Sequence, residues 1–295
     1  MSQQTLTLDA ATQQALATAQ RNEATENLIY TRLAKLTRNA ENAAILARIG
    51  ADELRHYHYW KHYSGRDQAP DTAKANWYVF LARVLGLTFA LKLMERGESA
   101  AEIAYERLSE IIPGARDISH EEDAHEHELI GMLDEDMLKY VGSVVLGLND
   151  ALVELTGALA GFTLALANVR LIGTTGLITG LAASMSMAAS EYISTKSEGG
   201  SRNAGRAALY TGLAYVFTVI WLIFPYFVTS NYFVALAWTL FNALLVILFF
   251  TFYVSVAQDM PFRRRFLETV GISFGVAVLS FGIGFVVRQV FGIEI

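Results

Sequence analysis

The chain contains no cysteine. That absence removes disulfides, zinc–thiolate centres and iron–sulfur clusters together, so any metal must be held by oxygen and nitrogen ligands. Charge is nearly missing from the second half: residues 141–295 hold 8 Lys and Arg, 7 Asp and Glu, and no histidine. Residues 1–140 hold 15 Lys and Arg against 22 Asp and Glu, with all six histidines. The first half therefore reads as an acidic, water-facing domain and the second as a membrane domain. An acidic surface of that kind argues against nucleic acid as a partner. The N-terminus also lacks an apolar stretch before Asp9, which predicts no signal peptide and a first half that stays in the cytoplasm.

What the second half does contain is two acids in the wrong solvent. Val141 to Ala167 is apolar or small apart from Asp150, Glu154 and a few hydroxyls and amides. A carboxylate in a spanning helix costs roughly 2.5–3.5 kcal/mol on insertion scales and persists where it faces a polar path or a partner. Asp150 and Glu154 are four apart, on one helix face, which suggests a route for a cation. Five stretches are long enough to span: about 141–167, 171–193, 207–229, 231–257 and 269–290. Lys196, Arg202 and Arg206 lie in one link and Arg263, Arg264 and Arg265 in another. The positive-inside rule puts these links and the N-terminal half in the cytoplasm, and the C-terminus outside. The pairs Gly157/Gly161 and Gly271/Gly275 permit close helix approach. Met187 and Glu191 share a face near the end of the second span. Beside Asp150 and Glu154 they would form a mixed soft and hard site, better suited to Fe2+ than to Mg2+ or Ca2+.

In the acidic half, four helices are expected at about 10–38, 41–64, 76–111 and 116–139, with breaks at Gly65 to Pro70 and at Pro113-Gly114. Short links between helices of this length suggest a bundle. Each apolar stripe is interrupted by an acid. The second helix runs Leu46, Ile49, Glu53, His56, Trp60, and the fourth Ile118, Glu122, His125, Leu129, Met132. The first carries Glu23 between Ala19 and Tyr30, and the third Glu95 and Glu98 between Leu91 and Tyr105. An unpaired charge on such a seam costs several kcal/mol. Two Glu-x-x-His pairs on alternate helices, with a stripe Glu on each of the others, are the ligand set of a ferritin-like di-iron or di-manganese carboxylate site. His58, His62, His120 and His127 lie off the stripes and read as solvated. Trp77 to Leu93 is nearly continuous apolar, a buried helix or a face resting on membrane or on a second subunit.

Residues 12–139 resemble the rubrerythrin branch of the ferritin-like superfamily, at Asn22-Glu23 with Tyr30, Asp52-Glu53-Leu54-Arg55-His56, Glu95-Arg96-Gly97-Glu98 and Glu122-Asp123-Ala124-His125. The resemblance implies Glu23, Glu53, His56, Glu95, Glu122 and His125 as direct ligands, with Glu98 as an extra carboxylate and Tyr30 and Tyr105 hydrogen-bonding to the acids. The cysteine-based rubredoxin module of that branch has no counterpart here. Gly147-Leu148-Asn149-Asp150-Ala151-Leu152-Val153 and Ser186-Met187-Ala188-Ala189-Ser190-Glu191-Tyr192-Ile193-Ser194 resemble the first two helices of the vacuolar iron transporter family. That family has five spans, works as a dimer and exchanges Fe2+ or Mn2+ for protons. The resemblance puts Asp150 and Met187 on the pathway and Glu191 at its cytoplasmic mouth. Glu154 has no counterpart acid in the eukaryotic members. The link from Thr195 to Arg206 is short where those members insert a metal-binding segment, and the N-terminal bundle could stand in for it. Together the two likenesses resemble the membrane-bound ferritin family of fusions, which export iron.

The expectation is thus an all-α chain: a cytoplasmic ferritin-like four-helix bundle over residues 1–140, followed by a five-helix transmembrane domain over 141–295. Its expected function is export of ferrous iron, or manganese, across the inner cell membrane, coupled to protons and performed by a homodimer. Glu23, Glu53, His56, Glu95, Glu98, Glu122 and His125 would bind a di-iron centre, and Asp150, Glu154, Met187 and Glu191 would line the route. The alternative is a membrane-anchored di-iron ferroxidase or peroxidase with no transport role.

Overall fold

Helix starts in this chain are set by short side chains that accept from exposed backbone N–H groups. Asp9 accepts from Thr12 N at 2.7 Å to open α1 (Ala10–Leu36), and Asn39 from Glu41 N and Asn42 N to open α2 (Ala40–Ser64). Asp71 accepts from Lys74 N at 2.9 Å to open α3 (Thr72–Leu85). The computed structural model describes residues 9–96, 108, 111–131, 135–199 and 202–291, and helix is the only regular structure among them. They fall into two compact units, Met1–Asp134 and Glu135–Ile295.

In the first unit the expected third helix is interrupted within its described part. Gly86, at φ 96° and ψ 155°, takes a conformation that residues with a Cβ rarely adopt, and it ends α3. α4 (Leu87–Glu95) follows at once. The expected fourth helix also ends sooner: α5 is Ala115–Gly131, and 135–139 belong instead to the helix that becomes the first span. Two apolar clusters fill the unit. One gathers Ile29, Leu33, Leu46, Ile49, Val79, Leu91 and Met94; the other gathers Leu16, Ala19, Trp60, Leu108, Ile112 and Ile118. Along α1 the acid Glu23 falls between residues of the second cluster and residues of the first. Along α2, Glu53 and His56 fall in the same gap. The polar residues thus occupy a layer with apolar packing on both sides along these helices. Trp77, Phe80 and Val84 stand more than half exposed on α3. That part of Trp77 to Leu93 is a free face rather than buried helix.

The second unit consists of α6 (Glu135–Leu166), α7 (Val169–Glu198), α8 (Ala204–Val228), α9 (Tyr232–Ala257) and α10 (Phe262–Phe291). Among the described residues, five segments are long and apolar enough to cross a membrane: Tyr140–Leu166, Val169–Glu198, Ala204–Val228, Tyr232–Ala257 and Phe262–Val290. Asn168, Asn203 and Asn231 cap α7, α8 and α9 in the same way, each accepting from the first turn. In a medium without water such caps matter more, since an unpartnered backbone N–H has no other acceptor. α6 is the central helix, packed against each of the other four. Its closest approach is to α10, where a Cβ on Gly284 would lie 2.3 Å from Gly161 O. Gly157 meets Val276 and Ser280 on the same helix. The pair Gly157/Gly161 therefore serves packing within the chain, while Gly271 and Gly275 have nothing within 4 Å of where a Cβ would stand. Large apolar side chains such as Ile178, Phe217, Phe249, Val278 and Ile283 point outward, as a lipid-facing surface requires.

Candidate functional site

The three helices α1, α2 and α5 bring Glu23, Glu53, His56 and Glu122 together so that one ligand atom from each lies within 4.8 Å of the others. Glu23, Glu53 and His56 are buried and Glu122 is half-buried. His56 Nδ1 lies 2.8 Å from Glu122 Oε1, 3.6 Å from Glu53 Oε2 and 3.7 Å from Glu23 Oε2. His125, also buried, turns its Nδ1 to the same acids, 3.2 Å from Glu53 Oε1 and 3.7 Å from Glu122 Oε2. The two imidazoles stack at 5.9 Å between centroids. Trp60 Nε1 donates to Glu23 Oε1 at 2.9 Å.

The far side of each imidazole is held by an acid the stripe pattern did not single out. His56 Nε2 lies 2.7 Å from Glu121 Oε2, and His125 Nε2 lies 3.3 Å from Asp52 Oδ2. The braces are crossed. Asp52 immediately precedes Glu53 on α2 and reaches the histidine of α5; Glu121 immediately precedes Glu122 on α5 and reaches the histidine of α2. Arg55 joins the two braces, donating to Asp52 at 2.6 Å and pairing with Glu121. The signal was present in the sequence as an acid directly before each Glu-x-x-His. A carboxylate on the outer nitrogen fixes which nitrogen faces inward and raises its basicity, the usual support of a metal-bound histidine.

The electrostatics follow from burial and pairing. Burial pushes the Glu23 carboxyl well above its usual range. Burial acts the same way on Glu53, but hydrogen bonds with His125 and His56 outweigh it and bring that acid to about 2. Burial would lower both histidines. Hydrogen bonds to Glu122, Glu23 and Glu53 overcome it at His56 and raise it strongly, and Glu122 and Glu53 push His125 up to about 10. The cluster thus holds its acids against cationic imidazoles. Glu53 Oε2 still has no hydrogen-bond partner among the described residues. Buried oxygen and nitrogen donors converging on one point, with a carboxylate oxygen left over, fit a divalent cation.

Of the other bundle residues expected at this centre, Glu95 is half-buried at the last position of α4 and is not one of the four converging groups. Glu98 and Tyr105 lie outside the described residues. Tyr30 is buried in the apolar cluster beside Leu33 and Ile49. Among the off-stripe histidines, His127 Nδ1 lies 2.7 Å from Asp123 O.

In the membrane unit the acids occupy two levels rather than one mixed site. Glu191 of α7 is buried and accepts from Ser143 Oγ of α6 at 2.6 Å and from Thr195 Oγ1 at 3.3 Å. Arg202 Nη1 stands 4.0 Å away. Ser143 lies seven residues before Asp150, which on a straight helix is about 10 Å of rise. Asp150 is half-buried, and Glu154 one turn further accepts from the Tyr215 hydroxyl of α8 at 2.8 Å. Met187, one turn before Glu191, is half-buried against the apolar core of the unit. Ser143 and Tyr215 were not read from the sequence, and Arg202 only as a charge of the basic link. Hydroxyls are common in membrane helices, and nothing in their spacing says which of them meets an acid.

Residues 141–207 match the VIT family. That stretch contains Asp150, Glu154, Met187 and Glu191, spans most of α6 and all of α7, and ends at the start of α8. With five apolar spans, it supports a VIT-type membrane domain, a multi-pass membrane protein and a metal ion as substrate. No curated protein and no solved structure matches the chain significantly.

Proposed function

We propose that this chain is a proton-coupled exporter of ferrous iron, with manganese as a second cargo, whose N-terminal ferritin-like bundle binds the ion on the cytoplasmic side. The observation that carries the reading is the pairing of two arrangements in one chain. A buried Glu23–Glu53–His56–Glu122 cluster is suited to a divalent cation, and a VIT-matching helix pair carries Asp150, Glu154 and Glu191 among its acids. The bundle residues, with His125 and with Glu95 and Glu98 as further ligands, would hold a di-iron centre; bound iron would supply one-electron chemistry there. In the membrane domain Glu191, Met187, Asp150 and Glu154 would take the ion in turn. Each carboxylate can release a proton as the cation arrives, which is the simplest source of coupling. The basic links at Lys196 to Arg206 and Arg263 to Arg265 support a cytoplasmic N-terminal unit and an outward C-terminus, in the inner membrane. The lipid-facing surface and an exposed acid at Glu154 are consistent with a homodimer.

The test is uptake of Fe2+ under anaerobic conditions, and of Mn2+, into vesicles bearing the purified full chain. Uptake with an opposing proton signal, lost in Asp150→Ala, is the expected result. Equal flux for the wild type and Asp150→Ala would remove Asp150 from the route. A membrane-anchored ferroxidase is the less favoured reading, because a mere anchor has no use for acids at Asp150, Glu154 and Glu191. Stopped-flow oxidation of Fe2+ by the full chain, with no ion movement into vesicles, would reverse that order.

A further inference from the structure

Glu154 differs from the other membrane acids in how it is held. Glu191 is buried and meets two hydroxyls and an arginine, whereas Glu154 is exposed on the single chain and meets one donor, the Tyr215 hydroxyl at 2.8 Å from Oε2. Tyr215 itself has no exposed surface, and its ring is packed in the apolar core with Leu152, Leu155, Val219 and Leu222. The ring cannot swing away without opening that core, so the hydroxyl is a fixed point. A glutamate has three rotatable side-chain bonds, and one anchored oxygen restricts them to a narrow set. Oε1 makes no hydrogen bond among the described residues, and Asp150 lies one turn away on the same face.

We infer that Tyr215 is a positioning residue for metal transfer, its buried hydroxyl anchoring one oxygen of Glu154 so that the other is presented to a divalent cation beside Asp150. The inference rests on the transport reading and deepens it. A phenol suits the task because it donates to a carboxylate yet brings no positive charge to repel the ion. A lysine or arginine in its place would hold Glu154 as well and compete with the cargo.

The experiment is Mn2+ uptake into vesicles by the full chain as a function of Mn2+ concentration, for the wild type, Tyr215→Phe, Glu154→Gln and the double variant. Tyr226→Phe serves as control. Tyr226 is equally buried in the same core, but its hydroxyl meets Thr163 at 2.7 Å and no acid. Loss of one hydrogen bond to a charged group predicts that Tyr215→Phe raises the half-saturating Mn2+ concentration by roughly tenfold or more, with the maximal rate per folded protein kept. Tyr226→Phe leaves half-saturation unchanged. In the Glu154→Gln background Tyr215→Phe adds little, because the partner it positions is already altered. A merely structural role would lower the maximal rate at constant half-saturation and would add fully to Glu154→Gln; either result overturns the assignment. Should the wild type move no Mn2+, the transport reading fails instead. Equilibrium Mn2+ binding by the same variants, in a Glu53→Gln background to silence the bundle cluster, then decides the Tyr215 assignment: a tenfold weakening supports it and none refutes it.

Discussion

The crossed braces on the two histidines give a sharp expectation. Asp52→Ala and Glu121→Ala each remove the outer carboxylate from one imidazole, at 3.3 Å from His125 and at 2.7 Å from His56. Removing such a support typically lowers metal affinity by about 10–100-fold. Two structural facts set where in that range each should fall. Glu121 makes the shorter contact, but its side chain is 47% exposed, so water screens much of its effect. Asp52 is 17% exposed and less screened, but its contact is longer. The opposing weights predict similar losses, each near the lower end of the range, about tenfold. The two acids act on different rings, so the double variant should lose about a hundredfold if they are independent. Arg55 touches both and is the means by which they could depart from that product. The assay is equilibrium binding of Mn2+ to the full chain in detergent, with Glu53→Gln marking loss of a direct donor. Asp123→Ala, one residue past Glu122 and exposed, is the matched loss of an acid from the same helix and should leave affinity unchanged. Affinities within twofold of wild type for both brace variants would refute the argument that these acids orient the imidazoles.

Gly284→Ala puts a methyl group 2.3 Å from Gly161 O, a backbone atom that cannot yield, and should destabilise the α6–α10 pair by roughly 1–3 kcal/mol. Gly275→Ala, with open space around it, should be neutral or gain up to about 1 kcal/mol from helix propensity; thermal unfolding in detergent separates the two, and a reversed order would mean α10 packs elsewhere. Thr163→Val strips Tyr226 of its partner and should cost about 1–3 kcal/mol, whereas Thr156→Val removes a buried hydroxyl with no partner among the described residues and should cost close to nothing. The same melting measurement compares them, and equal losses would contradict the hydrogen-bond assignment. For the bundle stripped of metal, His125 titrates at about 10 against an ordinary 6.5, so its stabilising contribution is complete below pH 6.5 and is lost as the pH climbs through 10. Glu53, at about 2 against 4.5, works in the opposite sense: its contribution is present above 4.5 and lost as the pH falls through 2. Protection of α2 against hydrogen exchange, corrected for intrinsic rates, should therefore fall from pH 6.5 to 10 in stripped protein, and a flat profile would contradict the pairing described for His125.

Much of this architecture was legible because its physics is local. Leu46, Ile49, Glu53, His56 and Trp60 recur at helical spacing, and all five are buried on α2. The five spans were legible from length and apolarity, whereas the caps at Asn168, Asn203 and Asn231 that open three of them were not read. What sequence periodicity does not carry is a single backbone torsion or a contact between helices. Gly86 sits in a nearly continuous apolar run, and only its φ shows that the helix stops there. The pair Gly157/Gly161 looked the same as Gly271/Gly275, yet one is filled by a neighbouring helix and the other is open. Glu191 shares a helix with Met187, but its partner is Ser143, two turns from Asp150, because helix offset decides which residues meet. Asp52 and Glu121 were visible as neighbours of Glu53 and Glu122. Their crossing to the opposite histidine depends on how α2 and α5 face each other, which no spacing within one helix reports.

The two units hold their acids in different ways. In the bundle the acids are balanced by cations: His56 and His125 are pushed toward the charged form, and Arg55 holds the outer acids. A metal entering that cluster must displace protons from imidazole nitrogens, so binding is linked to proton release. In the membrane unit the partners of Glu191 and Glu154 are mainly neutral hydroxyls, from Ser143, Thr195 and Tyr215. Neutral donors orient a carboxylate without competing for a cation, and each supplies one hydrogen bond rather than a set of converging ligands. On the transport reading, such positions would bind an ion more weakly than the bundle cluster and release it more readily. The exception is Arg202, 4.0 Å from Glu191 and 2.6 Å from Glu198. Its charge stands beside the buried acid nearest the basic link, and on the transport reading a cation would have to overcome it at Glu191 before meeting the neutral donors beyond.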